Sequence, residues 1–499
     1  MRIQWIKITQ QLKWAKILLG VFSLFTVNTH AGTSSNSLYN VLFIISDDLS
    51  ATALNCYGND RVSTPNIDRL ANEGTRFTRT YCQYPVCEPS RASLLSGYYP
   101  HAINIPRARK GIKNSLRESI GERATLPQHF KNNGYKSARI SKLYHMRVPG
   151  DIEQGTSGKD DETSWTEYYN IKAPEVFGRG ESELLENNPD GSKGVIGGNT
   201  MELLKSEGGD LSQADGKTAQ KASEWIRANK DRPFFLAVGF VRPHVPFAAP
   251  KEYFERYKPE DMLLPHKFPG DWDDIPKGGI NYKTTQNLNM NLEQQRKSVA
   301  GYYASVSYMD AQVGKILNTL RDEGLEKNTI VVFTSDHGFF LGEHDFWMKV
   351  GVMEESARVP LIIKIPGKAP ALSHSFTELV DLYPTLAEAC SLEVPERLQG
   401  HSLLPLLSNP ALSVRDTAFC SSRGLLLLRN DRWAYMQHGE EKNAAVQLYD
   451  MHKDAQQWNN LSDSPEHAPV VERFRQQMAQ KIAKIRTNDL GLNYTTKKK

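Results

Sequence analysis

Residues 41–48 read Val-Leu-Phe-Ile-Ile-Ser-Asp-Asp: five consecutive apolar, β-favouring side chains, then a hydroxyl and two carboxylates. An unbroken run of this kind marks a strand covered on both faces, as in the interior of a parallel sheet. The pattern recurs at Phe234-Phe235-Leu236-Ala237-Val238, which leads into Arg242-Pro243-His244, and at Ile330-Val331-Val332-Phe333, which leads into Asp336-His337-Gly338. A weaker run, Tyr135 to Ile140, leads into Lys142 and His145. Helical patterns lie between these runs. The longest spans about Asn291–Glu323, with Val299, Tyr302, Val306, Met309, Val313, Ile316 and Leu320 three or four apart and Gly324 as its stop. This alternation, from Val41 to about Leu404, predicts an α/β fold with a central, mostly parallel sheet flanked by helices.

Past Pro405 the pattern changes to short runs broken by turn residues: Ala418–Ser421, Gly424–Leu428, Trp433–Gln437 and Gln447–Met451. A helix with Val470, Val471, Phe474, Met478, Ile482 and Ile485 on one face follows. These predict a smaller C-terminal domain of antiparallel sheet plus helix. The expected organisation is a signal peptide over 1–31, a main domain over 38–405, a small α+β subdomain over 406–490 and a basic tail over 491–499.

The chain has 499 residues, 39% hydrophobic and 24% charged, which is ample apolar material for a core and excludes a disulfide-stapled module. Lys and Arg number 61 against 57 acids, and Arg2, Lys7, Lys13 and Lys16 fall in the first 31 residues, which hold no acid. The remainder is therefore balanced, with no global field of the kind that draws nucleic acid. Those four basic residues precede the apolar run Ile17–Val27 and then Thr29-His30-Ala31, the zones of a secretory signal cut near Ala31. A bilayer span needs ~20 apolar residues, so no integral span is expected after signal removal and the destination is periplasm or medium. An odd count of five cysteines, Cys56, Cys82, Cys87, Cys390 and Cys420, points in an exported chain to one special thiol.

The carboxyl ends of parallel strands share one sheet edge, where ligands bind. Asp47, Asp48, Asp336, His145, His244, His337 and Lys142 would converge there. One Asp after a strand is ordinarily a cap or turn residue, and a lone His is ordinarily structural. Four strand ends together reverse that reading, because crowded carboxylates are costly without a cation. Oxygen ligands favour Ca²⁺, with Mg²⁺ second; His337 leaves Mn²⁺ or Zn²⁺ open. Neighbouring strand residues face opposite ways, so each Asp pair can share an ion only where the chain has left the pleat.

Residues 85–97 read Pro-Val-Cys-Glu-Pro-Ser-Arg-Ala-Ser-Leu-Leu-Ser-Gly, which places Cys87 just before a helix N-terminus, with Arg91 as a fixed cation. Cys87-Glu88-Pro89-Ser90-Arg91 resembles the C-x-P-S-R signature of the type I, formylglycine-dependent sulfatases of the alkaline phosphatase-like superfamily. Thr64-Pro65-Asn66-Ile67-Asp68-Arg69-Leu70-Ala71, Ser335-Asp336-His337-Gly338 and Leu448-Tyr449-Asp450 extend the resemblance over about Leu42–Asp450. Ser141-Lys142-Leu143-Tyr144-His145, Arg242 through Phe247 and Leu341-Gly342-Glu343-His344 are most similar to iduronate-2-sulfatase-like members. Two departures stand near the site: Ser141 where such enzymes usually have Gly, and Glu88 where a small residue is common.

The resemblance implies that Cys87 is oxidised to an aldehyde by a maturing enzyme and that its hydrate attacks sulfur, the second hydroxyl then expelling sulfate. It implies Asp47, Asp48, Asp336 and His337, with the modified Cys87, as metal ligands. Arg91 and Lys142 would steady the nucleophile and sulfate, His145 would accept the second hydroxyl's proton, and His244 with Lys349 would stabilise the leaving oxygen. The implied substrate is a sulfated carbohydrate. Phosphodiesters or phosphonate monoesters on the same fold, and an inactive glycan-binding homologue, are the alternatives. Glu88 is expected either to bind substrate and repel a sugar acid, or to face its helix N-terminus or pair with Arg91. Tyr98, Tyr99, Trp272 and Trp347 are candidates for stacking on sugar faces.

Overall fold

A computed structural model describes residues 39–105, 115–187 and 200–492. The expected signal peptide and Lys497–Lys499 lie outside them. The main sheet has eight strands: β1 (Asn40–Asp47), β2 (Thr75–Tyr81), β3 (Lys136–Ser141), β4 (Glu167–Tyr169), β5 (Phe234–Pro243), β6 (Thr329–Ser335), β7 (Arg358–Lys364) and β8 (Ala371–Glu378), in the order β8-β2-β7-β6-β1-β5-β3-β4. Only β7 runs against the rest, pairing antiparallel with β6 and β2. At the centre β1 lies parallel between β5 and β6, with Phe43 opposite Ala237 and Val332. All eight residues of β1 and all seven of β6 are buried, as unalternating strands require.

Helices α1 (Cys87–Ser96), α2 (Ala214–Ala228) and α3 (Leu292–Asp322) pack on this sheet. Asn291 caps α3 by accepting a bond from the Gln294 amide, and Gln294 returns one to the Asn291 backbone. The expected weak strand at Tyr135–Ile140 is β3. The expected helix around Asn291–Glu323 is α3.

The C-terminal sheet is an antiparallel meander of β9 (Ala418–Ser422), β10 (Leu425–Arg429), β11 (Trp433–His438) and β12 (Val446–Asp450). Alternate side chains face opposite ways. Ala418, Cys420, Leu427 and Met436 join Tyr81, Leu361 and Phe376 of the main sheet in one apolar cluster. Phe419, Leu428, Tyr435 and Leu448 meet Val471, Phe474, Met478, Ile482 and Ile485 of α4 (Ala468–Arg486). The C-terminal sheet is thus wedged between the main domain and its own helix.

Candidate active site

The turn at the end of β1 resolves the pleat problem. The β1–β5 register slips between Ile45 and Asp47, and Asp48 takes the left-handed conformation at φ 65°. Both carboxylates thereby reach one centre. The hydroxyl of Tyr302 on α3 fixes this turn, donating to the Asp48 carbonyl (2.7 Å) and accepting from the Ser50 amide (3.0 Å). Tyr302 reads in the sequence as one more apolar helix residue, so this role was hidden. Asp336 and His337 follow β6 outside the pleat, and the Ser335 hydroxyl bonds the His337 carbonyl at 2.9 Å.

Ligand atoms of Asp47, Asp48, Cys87 and His244 lie within 4.8 Å of one another, as do those of Cys87, Asp336 and His337. Cys87 Sγ is 3.3 Å from His337 Nε2 and 3.8 Å from Asp48 Oδ1. The Nδ1 of His337 faces the Gly338 carbonyl at 2.9 Å, so that nitrogen carries the proton and Nε2 offers its lone pair to the centre. Cys87 is the first residue of α1 instead of preceding it. The centre still sits at the helix start with its free N–H groups.

Three cations ring these carboxylates. Arg91 donates through Nε to Asp336 Oδ2 (2.8 Å) and through Nη2 to Asp47 Oδ1 (3.1 Å), while its Nη1 holds the carbonyls of Lys142 and Leu143. Lys142 pairs with the second oxygen of Asp47. Lys349 Nζ reaches Asp48 Oδ1 (2.8 Å), Asp48 Oδ2 (3.0 Å), Cys87 Sγ (3.4 Å) and His244 Nε2 (3.0 Å). Burial pushes the Asp47 carboxyl upward, but Lys142, His244, Arg91 and Lys349 overcome this and hold it well below the usual carboxylate range. At Asp48 burial wins over Lys349 and His337, and its carboxyl is raised. Burial and the Lys349 charge hold His244 far toward the neutral form.

These residues fit a dication. Three buried carboxylates and three buried cations leave the centre near neutral, and a divalent ion would tip it positive, the sign needed to hold an anionic ester.

Lys349 is only 4% exposed, although a Lys after Phe346-Trp347-Met348 reads as a surface residue. Its loop is strained into place: Met348 and Val350 on either side have φ 66° and 95°, and a β-branched residue there is an outlier. Ser141 has φ 62°, which explains why glycine is usual at its position. His145 stands beside Glu88, Arg91, Tyr144 and Lys159 at the edge of the centre. Burial and the Lys142 charge lower its pKa to about 3.

Glu88 lies in the first turn of α1, where one expectation put its charge, and its Oε1 also accepts from Lys159 Nζ at 2.6 Å, a pairing the sequence reading did not include. Three of the four stacking candidates are corrected. Tyr98, Tyr99 and Trp347 are packed inside, with the Trp347 indole N–H bonded to Thr285, and only Trp272 is partly exposed. All five cysteines are free thiols.

Fixed cations aimed into a cluster of ligand atoms, at the carboxyl edge of this sheet, define a hydrolase for tetrahedral anions. A family profile described as Sulfatase matches residues 39–392, and the chain belongs to that family as a sulfuric ester hydrolase of the alkaline phosphatase-like fold. A second profile, N-sulphoglucosamine sulphohydrolase, C-terminal, matches residues 342–484. The chain is 32% identical over 440 residues to iduronate 2-sulfatase of Mus musculus, covering 78% of this chain and 75% of the relative. It is 26% identical over 511 residues to N-acetylglucosamine-6-O-sulfatase of Bacteroides thetaiotaomicron, covering 90% and 87%. Among solved structures, the phosphonate monoester hydrolase from Silicibacter pomeroyi superposes with a TM-score of 0.73 at 21% identity, covering 91% of this chain and 96% of that one. Among the described residues no helix is long and apolar enough to cross a membrane.

Proposed function

We propose that the protein is an exported sulfatase that removes sulfate from a sulfated carbohydrate, using a formylglycine made from Cys87 by a maturing enzyme and a divalent ion, Ca²⁺ before Mg²⁺. Residues 1–31 direct export to periplasm or medium, 38–405 carry the chemistry, and 406–490 form a small α+β subdomain. The observation that carries this reading is the Cys87 Sγ at the start of α1, 3.4 Å from the Lys349 ammonium and 3.3 Å from His337 Nε2. The names of the sulfated-sugar relatives support the substrate class.

Asp47, Asp48, Asp336, His337 and residue 87 would hold the ion. When bound it supplies positive charge that acidifies the nucleophile and polarises the sulfate oxygens. The remaining work falls to the chain. The Arg91 and Lys142 cations, already oriented by Asp47 and Asp336, face the charge that builds on the non-bridging oxygens. Lys349 and His244 stabilise the leaving oxygen as its bond to sulfur breaks, and the ammonium carries a proton to give it. By the family resemblance His145 would accept the proton released when sulfate departs; burial and the Lys142 charge oppose that protonation in the substrate-free site.

The test is sulfate release by matured protein from a panel running from uronate-containing to neutral sulfated glycans. Turnover of at least one member is expected. Hydrolysis of phosphonate monoesters or phosphodiesters with no sulfate released from any member would favour that alternative on the same fold.

A further inference from the structure

Arg423 and Gly424 form the two-residue turn between β9 and β10, where Ser422 is paired with Leu425. Both have positive φ, 47° and 90°, the signature of a type I′ hairpin turn. Asn, Asp or Gly is favoured at the first position of such a turn; a long cationic side chain held there is an outlier that asks for a reason.

Its surroundings supply one. The Arg423 amide donates to the Tyr84 hydroxyl at 2.9 Å, three residues before Cys87, which ties the hairpin tip to the approach to α1. Its guanidinium lies 4.5 Å from the centroid of the Tyr282 ring. Tyr282 is itself anchored beside the loop that carries Lys349: the Asn281 side-chain Nδ2 donates to the Trp347 carbonyl (3.0 Å) and the Trp347 backbone amide to the Lys283 carbonyl (3.0 Å), two residues before Lys349. Arg423 is exposed, and among the described residues no carboxylate pairs with it. The neighbouring Arg429 and Arg432, by contrast, are matched to Glu354 and Asp450.

We propose that Arg423 is a specificity-determining residue that binds a second anionic group, a sugar carboxylate or a second sulfate, on the glycan whose scissile ester sits at Cys87. The cation is preorganised by the Tyr282 face and offers a fork suited to a planar carboxylate or a sulfate. The C-terminal subdomain thereby reads the substrate while the main domain cleaves it. This rests on the sulfated-glycan reading above.

The experiment compares the parent with Arg423→Gln and Arg423→Lys on three disaccharides: neutral with one sulfate, the same with a uronate carboxylate, and neutral with two sulfates. The ratio of kcat/KM for a doubly anionic substrate to that for the singly anionic one should fall about tenfold in Arg423→Gln through KM, with part restored in Arg423→Lys. The uronate and disulfate arms identify which anion is read. An unchanged ratio in both arms overturns the inference. Calorimetric binding of the same three compounds to the Cys87→Ala protein, with and without Arg423→Gln, reads the same preference without turnover. Failure of the glycan-sulfatase reading would instead show as no sulfate release by the parent.

Discussion

Lys349 Nζ stands 3.0 Å from His244 Nε2, and the two divide their proton unequally. The Nδ1 of His244 faces the Val245 carbonyl and so carries the hydrogen, leaving Nε2 to accept from the ammonium. Burial disfavours the Lys349 charge, but Asp48 and its neighbours outweigh this and hold the ammonium protonated well above the usual range. The pair is thus a charged donor braced by a neutral acceptor.

Removing that donor should slow the bond-breaking step. Lys349→Ala is expected to lower kcat by roughly 10²–10³-fold, with a smaller effect on KM, as for loss of one preorganised donor to developing charge. The loss should shrink for substrates with better leaving groups, such as aryl sulfates. Steady-state kinetics on both classes makes the check; an equal loss on both would place Lys349 elsewhere in the cycle.

Asp336 holds Arg91 at 2.8 Å and lies in the ligand cluster, so its charge serves both. Asp336→Asn should lower bound Ca²⁺, measured by elemental mass spectrometry after dialysis, and activity together. Retention of full metal content would remove Asp336 from the ligand set.

His145 should remain neutral in mildly acid solution. Burial and the Lys142 cation penalise the imidazolium, so the folded pKa lies at about 3 against 6.5 for the free group. The unfolded chain then binds a proton that the folded one refuses, and His145 costs stability progressively as pH falls below ~6.5. Nitrogen-15 NMR of the His145 ring at pH 5 should show the neutral form; an imidazolium signal there would contradict this placement.

Glu88 neutralises Lys159 beside the pocket. Glu88→Ala removes the carboxylate paired with that ammonium, so relative kcat/KM should move toward sulfated uronates over sulfated neutral sugars. No movement in that ratio would show that the pair is structural.

Phe474 is fully buried and stacks on Tyr435 with ring centroids 5.4 Å apart. Phe474→Ala should cost roughly 3–5 kcal/mol, read as a fall in denaturation midpoint, because it empties the layer between the C-terminal sheet and α4.

The sheet core and its polar ends were legible because Val41–Ile45, Phe234–Val238 and Ile330–Phe333 have no polar residue to confuse their reading. Strand β2, Thr-Arg-Phe-Thr-Arg-Thr-Tyr, was not: Arg76 and Arg79 stay partly exposed and break the apolar signal. The reversal of β7 is set by its partners and leaves no local mark. Within the site, Asp47, Asp48, Asp336, His337 and His244 could be read because each ends a strand. Lys159 comes to its edge from a loop with no periodicity, and Tyr282 and Arg423, on a loop and a hairpin tip, carry no periodic signal either. The Glu88–Lys159 pairing escaped for the same reason, since Lys159 lies 71 residues away in the chain.

If Cys87 is the modified nucleophile of a sulfatase, its conversion leaves a mass signature. Peptide mass spectrometry across Cys87 in a preparation that releases sulfate, made in a host with a maturing enzyme, tests it most directly. Part of the population should show the mass loss of thiol-to-aldehyde conversion, and specific activity should rise with that fraction. Full activity with only the unmodified thiol at position 87 would contradict it.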